Sequence, residues 1–486
     1  MHLKFEYDLK KNLGIVSGTY FDQLRDAFSV ENDAYKFSKF RKGMYIPKKR
    51  YVVTPTGRFD CGLFFEFRKY LQELNPNVKL HLSEEFKSII NPSLNYDVTS
   101  SLSLDLRDYQ HDIVDICLRM GRGVVVLATA GGKTLTMCSL LESIFHRQKS
   151  MKCLLIVPDL GLVNQTFNDF KEYAANFFFT KWTGNDKLNI NSNVIICNAG
   201  ILQSSKSDVS WIKNIDYVVV DEVHKLRKDN KINKIIKLAH TPNKFGFTGT
   251  LPESEIDQWN IFGKIGPVIY TKNSFQLRNQ QYVANAFIQI IKLEYEDVPE
   301  KTTNKNDPIE KYRKEKEFIS TNEFRNNVIK QLCQNFNNNS LILVDHIKHG
   351  EILLDKLQSL DRQVYFVRGD VDIQTREEIK QIMEKEKNII CIAISKIFAT
   401  GISIKNLHYI VFASGGKAKI KILQSIGRGL RLHEDKSQVI IVDIADQLKY
   451  GYKHMNKRIL HYKNENIEYR ITKIRQKTQK IEEKTQ

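Results

Sequence analysis

The sequence predicts an α/β chain with two parallel-sheet domains behind a small N-terminal α+β domain. Three observations carry this. Short apolar runs alternate with segments of helical apolar spacing, as strands and helices do around a parallel sheet. The alternation occurs as two series, over residues 104–290 and 291–446. A length of 486 residues suits about three domains at ~150 residues each.

Residues 1–95 form the expected N-terminal nucleic-acid-binding domain. Its most distinctive stretch is FRKGMYIPKKRY, residues 40–51, where basic side chains interleave with Tyr and Phe. That mixture suits phosphate contacts plus base stacking, with Arg41, Lys42, Lys48, Lys49 and Arg50 as candidates. The alternative is a Lys-rich solvated hairpin. Phe64–Leu74 (FFEFRKYLQEL) has helical spacing, and the polar stretch from Pro92 to Ser103 reads as a linker.

Next comes LRDYQ, opening a helix. Gln110 can pair both amide groups with an adenine edge, and Arg107 or Tyr109 could stack on the base. The first series then reaches Gly123–Thr134, GVVVLATAGGKT. A buried strand breaks into small residues and ends in Gly131-Gly132-Lys133-Thr134 before an apolar helix. Backbone N–H groups there can curl around a phosphate, Lys133 adds a full charge, and Thr134 offers a hydroxyl to Mg²⁺. The general pattern asks for Gly where Leu127 stands.

Strands are expected at Leu154–Val157, ending in Pro158, and at Val194–Cys197, with a helix over Leu162–Tyr173 between them. Tyr217–Val220 runs straight into Asp221-Glu222-Val223-His224. Strand C-termini face the ligand crevice in a parallel sheet, so Asp221 is placed to hold Mg²⁺ and Glu222 to orient and deprotonate water. Lys244–Leu251 (KFGFTGTL) reads as a strand ending in small hydroxyl residues, suited to couple the site to a neighbouring surface. Residues 252 to about 335 read as a connecting region, with the highly charged Asp297–Lys316 as a solvated loop or helix.

The second series has strands at Leu341–Val344, Val364–Val367, Ile389–Ile394, Tyr409–Phe412 and Val439–Val442. It carries no Gly-Lys-Thr. It does carry Gln424-Ser-Ile-Gly-Arg428-Gly-Leu-Arg431, two arginines three apart on one helical face, the cations a phosphoryl-transfer site needs in its transition state. Residues 447–486 read as a basic C-terminal helix or tail.

Composition bounds the partners. A net charge of +18 points to a polyanion, although Lys, Asn and Ile are all abundant and composition bias alone could produce it. The 7 cysteines include no C-x-x-C pair, which argues against zinc or a disulfide framework. No apolar run approaches the ~20 residues of a membrane span, and the charged N-terminus lacks a signal-peptide core. A cytoplasmic protein with no membrane partner is expected.

LRDYQ, ATAGGKT, DEVH, TGT, ATGIS and QSIGRGLR occur in the order seen in superfamily 2 helicases, and the chain resembles that superfamily from about residue 104 to 446. VDHIKHG, VRGDVDIQTRE, ATGISIKNLH and LQSIGRGLR are similar to stretches of phage recombination and repair helicases; a phage protein of this kind is expected in its host's cytoplasm. The resemblance implies two RecA-like motor domains, 104–290 and 291–446, with ATP and Mg²⁺ held between them. It implies a monomeric, ATP-driven DNA helicase acting on branched or forked DNA: forks, Holliday junctions and R-loops. Relatives usually have Gly where Ala130 stands, and DECH or DEAH for DEVH. By the same resemblance Arg107, Gln110, Ala130, Gly131, Gly132, Lys133, Thr134 and Gly401 bind ATP. Thr134 and Asp221 hold the metal, while Glu222, Arg428 and Arg431 act on the transition state. His224, Thr248, Gly249, Thr250 and Gln424 couple hydrolysis to DNA, and Pro158, Arg368 and Thr400 contact it. An RNA helicase, a restriction-type duplex translocase and a non-catalytic junction-binding or annealing protein are the alternatives.

Overall fold

The computed structural model describes residues 2–32, 35, 46–204, 208–226, 231–296, 308–395, 404–414, 436 and 438–476. Contacts divide the chain into two compact units, residues 1–128 with 132–272, and residues 273–486 with 129–131. Among the described residues no helix is long and apolar enough to cross a membrane.

The first unit begins with a four-stranded mixed sheet in the order Arg58–Phe59, Leu13–Gly18, His2–Asp8, Lys79–Leu82. His2–Asp8 runs antiparallel to Leu13–Gly18 and parallel to Lys79–Leu82. Its alternation turns Leu3 and Phe5 inward. The helix Phe64–Leu74 forms over the span its periodicity predicts, burying Phe64, Phe67 and Leu71. Phe5 meets Phe64 edge-on at 5.1 Å, an aromatic pair of the kind that adds about 0.5–1.5 kcal/mol beyond area burial. This small sheet shares one apolar core with the parallel sheet that follows. Phe28 packs on Trp259 at 5.1 Å. A Cβ at Gly62 would lie 2.0 Å from the carbonyl oxygen of Phe262, so a glycine lets the N-terminal segment close on the helix Glu255–Lys264.

Residues 92–103 form neither helix nor strand, and hydrogen bonds strap them to the domain that follows. Leu94 N–H donates to Leu118 O at 3.0 Å, Thr99 N–H to Ser143 Oγ at 3.0 Å and Ser103 N–H to Tyr173 O at 2.9 Å.

Seven parallel strands then form a sheet in the order Val268–Lys272, Gly123–Leu127, Lys244–Thr248, Tyr217–Asp221, Cys153–Val157, Val194–Asn198, Phe179–Trp182. All five residues of Cys153–Val157 are buried, the continuous apolar run expected of a strand covered on both faces. The order places Lys244–Thr248 between the phosphate-loop strand and the strand ending in Asp221. Three motifs therefore leave the same edge of the sheet side by side.

The second unit holds another seven-stranded parallel sheet, in the order Val364–Val367, Ile390–Ile394, Ser340–Val344, Tyr409–Phe412, Gln438–Asp446, Asn285–Glu294, Glu468–Arg475. Two readings of the sequence change here. Residues 252–335 are not a connection: they contain the strands Val268–Lys272 and Asn285–Glu294 and the helices Glu255–Lys264, Ser274–Asn279, Pro308–Thr321 and Glu323–Gln334. The strand Asn285–Glu294 spans the expected border at 290/291 and pairs on both sides. The C-terminal stretch is not only a helix with a tail: after the helix Lys449–Asn464, Glu468–Arg475 adds an edge strand to the sheet. All seven cysteines are buried and unpaired.

Candidate active site

The phosphate loop links the strand Gly123–Leu127 to the helix Lys133–Arg147. Gly132 is the N-cap, with φ +80° and no side-chain cap. The start of the helix thus presents backbone donors and the positive end of its dipole to whatever binds. A Cβ on Gly132 would lie 2.3 Å from Gln110 Nε2. Thr136 Oγ1 donates back to Gly132 O at 3.0 Å and fixes the turn. Ala130 adopts φ +67°, a left-handed conformation natural to glycine. The departure read from the sequence is therefore a real backbone demand met by the wrong residue.

Gln110 is 2 % exposed. Its Oε1 accepts from Arg107 N–H at 2.9 Å, closing a capping box on the helix Asp108–Met120, and its Nε2 donates to Gly132 O at 3.4 Å. The expected adenine reader lies against the phosphate loop. Arg107 Nη1 donates to the Tyr109 hydroxyl at 3.0 Å.

Asp221 ends its strand, and Glu222 follows in a left-handed turn at φ +49°. Glu222 N–H donates to Asp221 Oδ1 at 2.8 Å. The turn aims Glu222 at Lys133, with Oε1 and Nζ 3.8 Å apart and the two side chains 14 % and 12 % exposed. The other oxygen, Oε2, lies 3.2 Å from His224 Nδ1. That nitrogen is also 2.9 Å from Thr248 Oγ1, and the Thr248 hydroxyl donates to Thr250 O at 2.9 Å. With its own proton on Thr250, the Thr248 hydroxyl must accept from His224. A continuous chain of contacts thus runs Glu222–His224–Thr248–Thr250 across the Gly249 turn.

The two carboxylates are pushed apart. Burial, and then the charge of Glu222, raise Asp221 far above the usual carboxylate range. Burial would raise Glu222 too, but Lys133, followed by the hydrogen bond and charge of His224, outweigh it and hold Glu222 low. Lys225 acts on both in the same stabilising sense. Sequence reasoning passed over Lys225, although its place directly after His224 was the available signal. The donor set fits Mg²⁺: a carboxylate whose charge is disfavoured by burial is one that a dication restores, and Thr134 supplies a hydroxyl in the first turn of the helix.

Pro158 follows Cys153–Val157 at the same sheet edge, and Asp159 caps the next helix by accepting from Leu162 N–H at 3.1 Å. In the N-terminal region Lys49–Tyr51 pairs antiparallel with Ser29–Glu31. Lys49 contacts Asp26 at 2.7 Å, Arg50 donates to Asn32 at 3.0 Å, and Lys48 lies 5.7 Å over the Tyr35 ring. Arg25 stacks on Tyr51 at 3.8 Å. In the second unit Arg368 pairs with Glu351 at 2.9 Å and Asp370 at 3.0 Å. Arg41, Lys42, Thr400, Gly401, Gln424, Arg428 and Arg431 lie outside the described residues.

Two families match the chain. One, described as "Type III restriction enzyme, res subunit", matches residues 103–253, and the helicase conserved C-terminal domain matches residues 324–433. The ATP-dependent DNA helicase uvsW of Enterobacteria phage T4 is 29 % identical, over 92 % of this chain and 94 % of its own length. The crystal structure of T4 UvsW covers 98 % of this chain and all of its own at 24 % identity and a TM-score of 0.47. The helicase MrfA bound to DNA shares the fold at a TM-score of 0.55 and 16 % identity, over 76 % of this chain and 50 % of its own. The chain is an ATP-dependent helicase of superfamily 2, of the UvsW type.

Proposed function

We propose that this helicase acts on branched DNA (forks, Holliday junctions and R-loops) in recombination, repair and replication. One observation carries the reading. A match over 92 % of the chain to the T4 DNA helicase cannot leave out residues 1–102, which precede both family matches. The resemblance therefore reaches into the N-terminal region, where this chain keeps its basic-aromatic segment.

In the proposed site, Gly131, Gly132 and Lys133 cradle the phosphates of ATP, and Gln110 with Arg107 sits at the base. Thr134 and Asp221 would hold Mg²⁺, which when bound neutralises charge developing on the phosphates. Glu222 orients the attacking water and takes its proton, a role suited to a carboxylate kept ionised by Lys133 and His224. Arg428 and Arg431 stabilise the transition state. His224 and the Thr248–Thr250 turn carry the loss of the γ-phosphate from Glu222 towards the DNA-contacting surface. Arg41, Lys42, Lys48, Lys49, Arg50, Pro158, Arg368 and Thr400 contact DNA, mainly its backbone, so affinity should fall steeply with salt.

The test compares ATPase stimulation and strand separation on forked DNA, a Holliday junction, an R-loop, linear duplex and RNA. Forked or junction DNA should stimulate most and be unwound. Preferential stimulation by RNA overturns the reading. Equal stimulation by linear duplex without strand separation replaces it with a duplex translocase, which the match to the restriction subunit family favours.

A further inference from the structure

We propose that the N-terminal segment and the first parallel sheet enclose a binding site for one small monovalent anion of the halide class. The site lies at the opposite end of that sheet from the phosphate loop. Arg122 immediately precedes the strand Gly123–Leu127, and Lys244 is the first residue of Lys244–Thr248. The phosphate loop and Asp221 lie at or beyond the far ends of their strands.

The geometry is that of a small cavity ringed by cations. Its volume is about 20 Å³, room for about one water-sized body. Its lining includes Arg122, Lys237, Lys244 and Lys264 against one carboxylate, Asp60. Arg122, Lys244 and Lys264 are 3 %, 6 % and 6 % exposed. Asp60 is already shared: it pairs with Lys264 and, at 3.4 Å, with Lys237. Lys244 and Arg122 are held by carbonyls instead. Lys244 Nζ donates to Ile236 O at 3.2 Å and Ala239 O at 2.9 Å, and Arg122 donates to Ile265 O and Ile89 O at 2.9 Å each. Carbonyl dipoles solvate a cation but leave its charge standing. Buried charges are ordinarily paired, and four cations around one carboxylate leave an excess of positive charge facing the cavity. Burial, and then repulsion from Arg122, push the Lys244 ammonium down to about 7. One anion would relieve that strain without the loss of a proton.

Size selects the ligand class. A cavity of this volume suits chloride or bromide, each a single atom, better than a carboxylate, a sulfonate or a phosphate. Lys237 is 41 % exposed, so the group is reachable from solvent. Asp60 comes from the N-terminal segment and the four cations from the rest of the unit. An occupant would therefore bind the two parts together.

The experiment uses the full chain in two arms. Crystals grown in sodium bromide are examined by anomalous diffraction. Thermal unfolding is followed at constant ionic strength while sodium chloride replaces sodium methanesulfonate, whose anion is larger than one water-sized body. The expected results are a bromide peak among Lys244, Arg122 and Lys264 and a midpoint that rises with log chloride. Asp60→Asn removes the competing carboxylate and should steepen that rise, while Lys244→Met should flatten it. If Lys244→Met does not fold, the Asp60→Asn slope decides. Identical midpoints with no bromide peak mean a water site and overturn the proposal. A bromide peak with a flat midpoint means an adventitious ion only, and overturns it as well.

Discussion

The two parallel sheets contain the same local phrase with opposite fates. In the first unit an apolar strand, Tyr217-Val-Val-Val, ends in Asp221. In the second, Val439-Ile-Ile-Val runs into Asp443 and on to Asp446. Asp443 is met by Arg458 in a two-pronged contact at 2.8 and 2.7 Å, and Tyr462 donates to it at 2.9 Å. Asp446 is held by Arg325 at 2.8 and 3.3 Å and by the Tyr295 hydroxyl. Asp221 receives a backbone N–H and has another carboxylate beside it, with no ion pair among the described residues. What separates a carboxylate tied into the fold from one without an ion pair is therefore the partner: Arg458, 15 residues on, for Asp443, and Arg325, 121 residues back, for Asp446.

The largest effects should come from disarming the proposed catalytic residues, Glu222 in the first unit and Arg428 in the second. Glu222→Gln removes the proposed base and should lower ATP turnover by about 10²–10⁴-fold, and Arg428→Ala by about 10³–10⁵-fold if it is the proposed finger. Both variants should still bind nucleotide and DNA, as fluorescence anisotropy would report. Full-rate turnover by the purified Glu222→Gln protein would end the assignment of the base.

The contrast itself is tested by matched Asp→Asn changes. Asp443→Asn leaves Arg458 buried without its countercharge and should destabilise the second unit by about 3–5 kcal/mol, measured as a shift in denaturant midpoint. Asp221→Asn removes one of two repelling buried carboxylates. Without metal it should leave the midpoint unchanged or higher, while abolishing Mg²⁺-dependent ATPase. If both changes destabilise equally, Asp221 is structural and the distinction fails.

The same contrast explains what was legible in the sequence. Strands such as Cys153–Val157 and Tyr409–Phe412 are visible because a parallel strand covered on both faces is a continuous apolar run. Lys133, Asp221 and Glu222, the proposed phosphate site, stand out because each lies in a short local motif at a strand or helix end. Asn285–Glu294 is hidden because Gln289 and Lys292 break its apolar run, although it lies between two strands. Glu468–Arg475 is hidden because an edge strand exposed on both faces can carry Arg470, Lys473 and Arg475 and so reads as a basic tail. The pairing of Arg325 with Asp446 spans 121 residues, and no local pattern announces it.

The smallest effect concerns Ala130, where the phosphate loop departs from what its own geometry asks. A left-handed Ala costs about 1–2 kcal/mol relative to a residue without Cβ, and the added freedom of Gly in the unfolded chain returns about 0.4–1 kcal/mol of that difference. Ala130→Gly should therefore stabilise the protein by up to about 1.5 kcal/mol, seen as a rise of a few degrees in the unfolding midpoint, with the phosphate loop keeping its shape. ATPase should change little, because Lys133, Asp221 and Glu222 are untouched. A loss of turnover with a gain in stability would instead show that the Cβ at position 130 holds the loop in its working conformation, so that the strained residue serves the reaction rather than being merely tolerated.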